Sequence, residues 1–156
     1  MKKFVIILGY AFLSLVMLLV AGFAVLAARG RTLDKESKAF VDVAVPAIVS
    51  AWDVTELQKH ASPEFDDAAD YDTIEKLFAS LQALGKFQEY GGSKGEANIT
   101  ISLQYGFEIT ADYLASADFD VGSAEILIAL IKHDGRWQIL DLKIDTEEYR
   151  DRKDII

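Results

Sequence analysis

The sequence predicts an α+β protein: an N-terminal transmembrane helix, then two to four helices packed on one face of a curved antiparallel sheet of four to five strands. Three observations carry this. An uncharged apolar run spans Phe4 to Ala28, apolar residues then recur every three or four positions as far as Leu84, and from Lys86 onward the period falls to two. Helices first and strands second is the α+β order, with the helices on one side of the sheet.

The apolar run holds 25 residues, and at about 1.5 Å per residue it spans a hydrocarbon core of about 30 Å with some tilt. Lys2 and Lys3 precede it, and Arg29 and Arg31 follow. Val25-Leu26-Ala27 loosely fits a signal-peptidase site, but the run is longer than the roughly 7–15 residues of an ordinary signal core. Residues 1–28 are therefore read as an uncleaved anchor, with a removed signal peptide and a secreted protein as the alternative. Basic residues flank both sides almost equally, so charge leaves the orientation nearly tied. In a bacterial source the expectation is a single pass through the inner membrane, with the C-terminal domain in the periplasm or outside.

Residues 29–33 read as a short linker, 34–145 as one domain and 146–156 as a polar tail. The 128 residues from Arg29 to Ile156 suit a single core. That part carries 14 basic and 25 acidic residues, a net charge of −11, which repels nucleic acid and anionic headgroups. There is no cysteine, which removes disulfides, thiolate metal sites and a Cys nucleophile. No cofactor or metal is expected.

Leu33 to Trp52 has helical spacing in Val41, Val45, Ile48 and Trp52, with Asp34 as a cap and Lys38 four residues from Asp42. Pro46 predicts a kink or a break near Val45. Asp53 to Glu56 reads as a capping box opening a helix that ends near His60. Ser62-Pro63 starts another. Asp72 to Glu75 repeats the capping pattern ahead of Ile74, Leu77, Phe78, Leu81 and Leu84, and Gly85 supplies the stop.

Lys86 to Tyr90 reads as a short strand piece, Gly91 to Gly95 as a flexible connection, and Ala97 to Leu103 as a strand with alternating faces. A turn near Gly106 leads to a second long strand, Phe107 to Phe119. Asp134-Gly135 suits a two-residue type I′ hairpin. Counting outward from that turn pairs His133 with Arg136, Lys132 with Trp137, Leu130 with Ile139 and Ile128 with Asp141. Glu125 to Ile131 is apolar on both faces, so Leu127, Ala129, Ile131, Leu140 and Leu142 need cover from something other than the helices.

The ending Lys132-His133-Asp134-Gly135-Arg136-Trp137-Gln138-Ile139 resembles the final hairpin of cystatin-like, nuclear transport factor 2-like cone folds. Lys35-Glu36-Ser37-Lys38-Ala39-Phe40-Val41, Val45-Pro46-Ala47-Ile48, Ala61-Ser62-Pro63-Glu64 and Lys94-Gly95-Glu96-Ala97 are similar to small bacterial membrane-anchored envelope proteins. The resemblance implies a kinked helix seated in a curved sheet. It transfers no catalytic residue, because such cones host enzymes, binders and dimerisation domains alike.

The candidate chemistry is sparse. His60 ends a short helix, where an imidazolium suits the dipole, and His133 reads as a solvated strand residue. Glu64, Asp66, Asp67, Asp70 and Asp72 lack the central Gly and closing Glu of a calcium loop. Asp141, by the hairpin register, would share a face with Leu130 and Ile139 as a pocket acid, unless a β-bulge near Leu140 turns it to solvent. Trp52, Tyr113, Trp137 and Asp141 are thus the candidate ligand site, and the five apolar residues above are the candidate interface. The expected function is a membrane-tethered, noncatalytic module that binds a protein partner or a second copy of itself through the sheet face. A binder of a small apolar ligand is the alternative, and a hydrolase or isomerase using Asp141 as acid/base is the remote one.

Overall fold

The computed structural model describes residues 2–102 and 106–146. Two compact units divide the chain, Met1–Leu33 and Asp34–Ile156. The elements run in the order α1 (Lys2–Ala51), α2 (Val54–His60), α3 (Pro63–Ala68), α4 (Tyr71–Leu81), a 3₁₀ turn (Gln82–Leu84), β1 (Phe87–Ser102), β2 (Gly106–Phe119), β3 (Ser123–His133) and β4 (Arg136–Thr146). The strands form one antiparallel sheet in the order β1-β2-β3-β4. The fold is therefore α+β, with four strands.

In the first unit, α1 is apolar and long enough to cross a membrane. Side chains from Leu13 to Ala24 are exposed, Leu18 at 70% and Phe23 at 75%. The expected linker at 29–33 is instead helical. Gly30 costs about 1 kcal/mol in a helix interior, too little to break a helix already nucleated on both sides.

In the second unit, α1 continues through Pro46 without a break. Pro46 frees the Asp42 carbonyl at a cost of about 3 kcal/mol, and Val41, Ala44, Val45, Ile48 and Val49 on the same segment are at most 2% exposed. Burial of that stripe outweighs the lost bond. The helix ends at Ala51 with the Trp52 N–H on the Ile48 carbonyl at 2.9 Å. Trp52 has φ +45°, unusual for so bulky a residue. Its ring stacks on Phe119 at 5.5 Å and lies 5.4 Å from Phe78, and these contacts hold it there.

Three caps differ from expectation. Asp34 lies inside α1 and accepts the Ala97 N–H instead (2.8 Å). Asp53 caps α2 through Thr55, while Glu56 turns to Lys59 and His60 rather than reaching back. Asp70, not Asp72, caps α4. Ser62 caps α3 with Pro63 in its first turn, as expected.

β1 is continuous where a flexible connection was expected, with irregularities between Phe87 and Glu89 and between Tyr90 and Gly92. Gly95 is required by close approach, since a Cβ there would lie 1.9 Å from the Asp112 carbonyl oxygen and 2.7 Å from Tyr113 Cδ1. The β3–β4 turn has φ +49° at Asp134 and +78° at Gly135, as a type I′ turn needs. The pairs His133–Arg136, Lys132–Trp137 and Leu130–Ile139 hold, but Ile128 faces Leu142, not Asp141. A β-bulge at Leu140 inserts the extra residue. Leu103 and the tail after Thr146 lie outside the described residues, and Thr146 itself belongs to β4.

Gly95→Ala is expected to lower domain stability by about 2 kcal/mol, because backbone cannot move aside as a flexible side chain can. Gly122→Ala, whose added Cβ would meet only Leu84 Cδ2 at 3.5 Å, should be near neutral. Denaturant unfolding of the two variants checks the contrast.

Candidate functional site

The sheet has an inner face, which meets α1, and an outer face. Ala111, Tyr113, Ala115, Ala117, Ala124, Ile126, Ile128, Leu130 and Ile139 point inward and are at most 4% exposed. The bulge at Leu140 reverses the alternation of β4, so Trp137 and Ile139 lie inside before it and Leu142 and Ile144 after it. Leu142 and Ile144 gather with Val45, Ile48, Val49 and Ile126 in the seam between α1 and the sheet. Leu142 is therefore not on the outer face, a correction to the expected interface.

The four expected ligand residues do not converge. Trp52 is buried at the α1 end among Phe78 and Phe119. Trp137 lies under the Lys132 ammonium, 5.3 Å from the ring, and Lys132 also pairs with Glu36. Sixteen residues separate Glu36 from Trp52, about 24 Å of helix. The Tyr113 hydroxyl bonds Ser37 (2.8 Å) and donates to the Asp34 carbonyl (3.1 Å). Asp141 is exposed on the opposite face, paired with Lys143 at 2.8 Å. Both indole N–H groups are buried without a hydrogen-bond partner, at a cost of about 1–3 kcal/mol each.

A polar cluster that the sequence did not suggest joins α1 to β1. Asp42 accepts hydrogen bonds from Lys38 (2.9 Å), Tyr90 (2.8 Å) and Ser93 (2.6 Å), and Lys38 also donates to the Ser93 carbonyl (2.9 Å). Burial pushes the Asp42 carboxyl up, but the bonds from Ser93, Lys38 and Tyr90 outweigh it and hold the group below its ordinary range. Burial, then the bonded Asp42 carboxylate, pushes the Tyr90 hydroxyl well above the tyrosine range. A saturated carboxylate beside a phenol that does not ionise is a fastening, poorly suited to proton transfer. Only the Lys38–Asp42 spacing was visible in the sequence, because Tyr90 and Ser93 lie some fifty residues away.

The histidines also serve as fasteners. His60 meets the edge of Phe40 (5.6 Å) and lies 3.5 Å from Glu56. His133 is not simply solvated, because its Nε2 is 2.9 Å from Glu64. In the acidic segment, Asp66 accepts from Tyr71 and Asp70 caps α4. Among the described residues no three His, Asp or Glu side chains converge as a metal site requires.

The outer face is ordered by register into rows that cross the sheet. Lys94, Leu114, Leu127 and Lys143 form one row, with Leu114 directly opposite Leu127. Glu96, Asp112, Ala129 and Asp141 form the next, and Gly92, Ser116, Glu125 and Asp145 the row on the other side. Leu114 is 44% and Leu127 48% exposed. A shallow groove of about 290 Å³ runs between the first two rows. Two exposed leucines thus sit at the centre of a charged field, with lysines at the row ends and acids above and below.

Of the other expected interface residues, Ala129 and Leu140 are half-buried and Ile131 is only 4% exposed. Ile131 shares its face with Gln138 and His133, which bond the Ala61 carbonyl and Glu64. The corner between α2 and α3 reaches round the β4 edge there and takes that end of the face out of use.

A scan against protein-family models, a search of curated proteins and a search of solved structures each find nothing that matches this chain.

Because the Asp42 carboxyl is held low in the folded state, it contributes stability that is present at neutral pH and lost as pH falls through that depressed value. Asp42→Asn is therefore expected to be less stable than wild type at pH 7, with the gap closing below about pH 4. Unfolding measured across pH checks this.

Proposed function

We propose that this protein is a membrane-tethered, noncatalytic module whose α+β domain associates with a second copy through the outer face of the sheet. The reading places it as a single-pass protein of a bacterial inner membrane with the domain outside the cytoplasm, and its domain as a cystatin-like, nuclear transport factor 2-like cone. The tether is supported by the length and apolarity of α1. One observation carries the association: the row Lys94–Leu114–Leu127–Lys143, with its two leucines half in water between acidic rows.

Two copies anchored in one bilayer share a twofold axis along the membrane normal. A twofold axis between Leu114 and Leu127 stacks each Leu114 on the partner's Leu127, a four-leucine centre. Face-to-face sheets cross at about −30°, which carries the row-end lysines away from one another. At the β4 end both flanking rows close in acids, Asp141 and Asp145, so each Lys94 lies toward a partner carboxylate whichever way the sheets turn. An apolar centre inside a charged rim is the anatomy of a protein interface, and the charges select the partner and register more than they add affinity.

Burying a leucine is worth about 1.5–3 kcal/mol, so Leu127→Glu is expected to weaken association by at least about tenfold. Leu77→Glu, at a leucine 40% exposed on α4, should leave it unchanged. Single-molecule photobleaching of the full chain in membranes reads the copy number. A wild-type protein that bleaches in single steps, or a Leu127→Glu variant as dimeric as wild type, overturns the proposal.

A further inference from the structure

The end of the β1–β2 hairpin is poor in charge for an acidic domain. Between Ala97 and Ile109 the sequence holds one charged residue, Glu108. Register pairs Ala97 with Ala111 and Ile99 with Ile109, and Phe107 lies two residues before Ile109, all on the inner face. Exposure rises along that face, from 0% at Ala111 to 49% at Ile99 and 77% at Phe107. Glu108 pairs with Thr100 and so points the other way.

Contacts within the domain fix the direction of this hairpin. Tyr90 bonds Asp42, Ser93 bonds Lys38 and Ala97 bonds Asp34. As β1 advances toward the hairpin end, its partners on α1 step back toward the N-terminus. The hairpin therefore extends in the direction in which the chain leaves the domain at Asp34. Asp34 is six residues from Ala28, the end of the apolar run. Whatever path those residues take, they hold Asp34 within about 22 Å of the hydrocarbon. From Ala97, which Asp34 holds, the hairpin reaches a further five residues to Ser102, about 17 Å. The headgroup layer, several ångströms deep, covers the remainder.

Resting on the reading of Phe4 to Ala28 as a retained membrane span, we infer that the inner face of the hairpin end, Ile99 and Phe107, docks on the bilayer surface beside the tether. The occupant is lipid: zwitterionic headgroups and the acyl boundary beneath them. The span brings the bilayer within reach, the missing charge removes the cost of approaching it, and an interfacial apolar group seats about 5–10 Å deep. The domain then has a second point of attachment and a restricted tilt, which leaves the outer face of the sheet to a neighbour in the same membrane.

The chain has no cysteine, so single labelling sites can be introduced cleanly. Phe107→Cys and, at the other end of the sheet, Val121→Cys (76% exposed) leave the core untouched. Each full-length variant is reconstituted into phosphatidylcholine vesicles and spin-labelled. Alkaline extraction first reports whether the chain is retained. The expected result is a retained chain whose label at 107 collides readily with oxygen and poorly with a water-soluble nickel complex, while the label at 121 does the reverse. A retained chain whose 107 label stays in water overturns the docking and leaves the tether standing. A 107 label shielded from both reagents means a protein contact and also overturns it, and a chain that is not retained overturns both readings.

Discussion

A four-stranded sheet covered on one side must sort its side chains by face, and the cover here is the stretch of α1 from Val41 to Val49. Everything else in the domain answers to that seam. The inner residues of β2 and β3 are alanine, isoleucine and leucine at near-zero exposure, a pattern set by the ridge of valines and Ile48 that they meet. Pro46 is tolerated because it sits within that packed stretch. The hydrogen bonds at Asp34, Ser37, Lys38 and Asp42 fix where the helix lies along the sheet, since apolar packing alone permits sliding and directed polar contacts do not.

The bulge at Leu140 shows how one extra residue redistributes chemistry. Without it, Asp141 would point into the apolar seam, where an unpaired carboxylate is costly, and Leu142 and Ile144 would point to water. With it, the acid and Lys143 join the outer face, and the leucine and isoleucine complete the core. The outer rows exist because β4 changes its phase partway along.

Much of this was legible in the chain itself. The period change at Lys86, the Asp134-Gly135 turn, the Ser62-Pro63 start and the apolar N-terminal run each depend on neighbours in sequence, and each stands as a local element. A two-residue turn fixes the β3–β4 register only as far as the bulge at Leu140. Its signal was present: the apolar phase of the last strand shifts from Trp137 and Ile139 to Leu142 and Ile144. Gly91 to Gly95 looked like a flexible connection because Gly95 is needed only where Asp112 and Tyr113 come close, and that is a long-range fact. The same holds for the Asp42 cluster and for Asp34, whose carboxylate serves a strand rather than its own helix. Trp52, Tyr113 and Trp137 are large and partly polar, so they suggest a pocket in sequence; in the fold they fill space along different parts of one seam.

The two margins of the sheet are finished differently. At β4, Ala61 forms a parallel bridge with Ile139, and the Ser62 N–H donates to the Ile139 carbonyl at 2.9 Å. At β1, the Ser93 carbonyl and the Ala97 N–H are already engaged by Lys38 and Asp34. Strand-by-strand growth into a fibre needs an open margin on both sides of every subunit. With the β4 margin occupied at Ile139 by the chain's own corner, a strand that adds there in register meets a blocked position. Two residues of a turn thus remove one route to fibres.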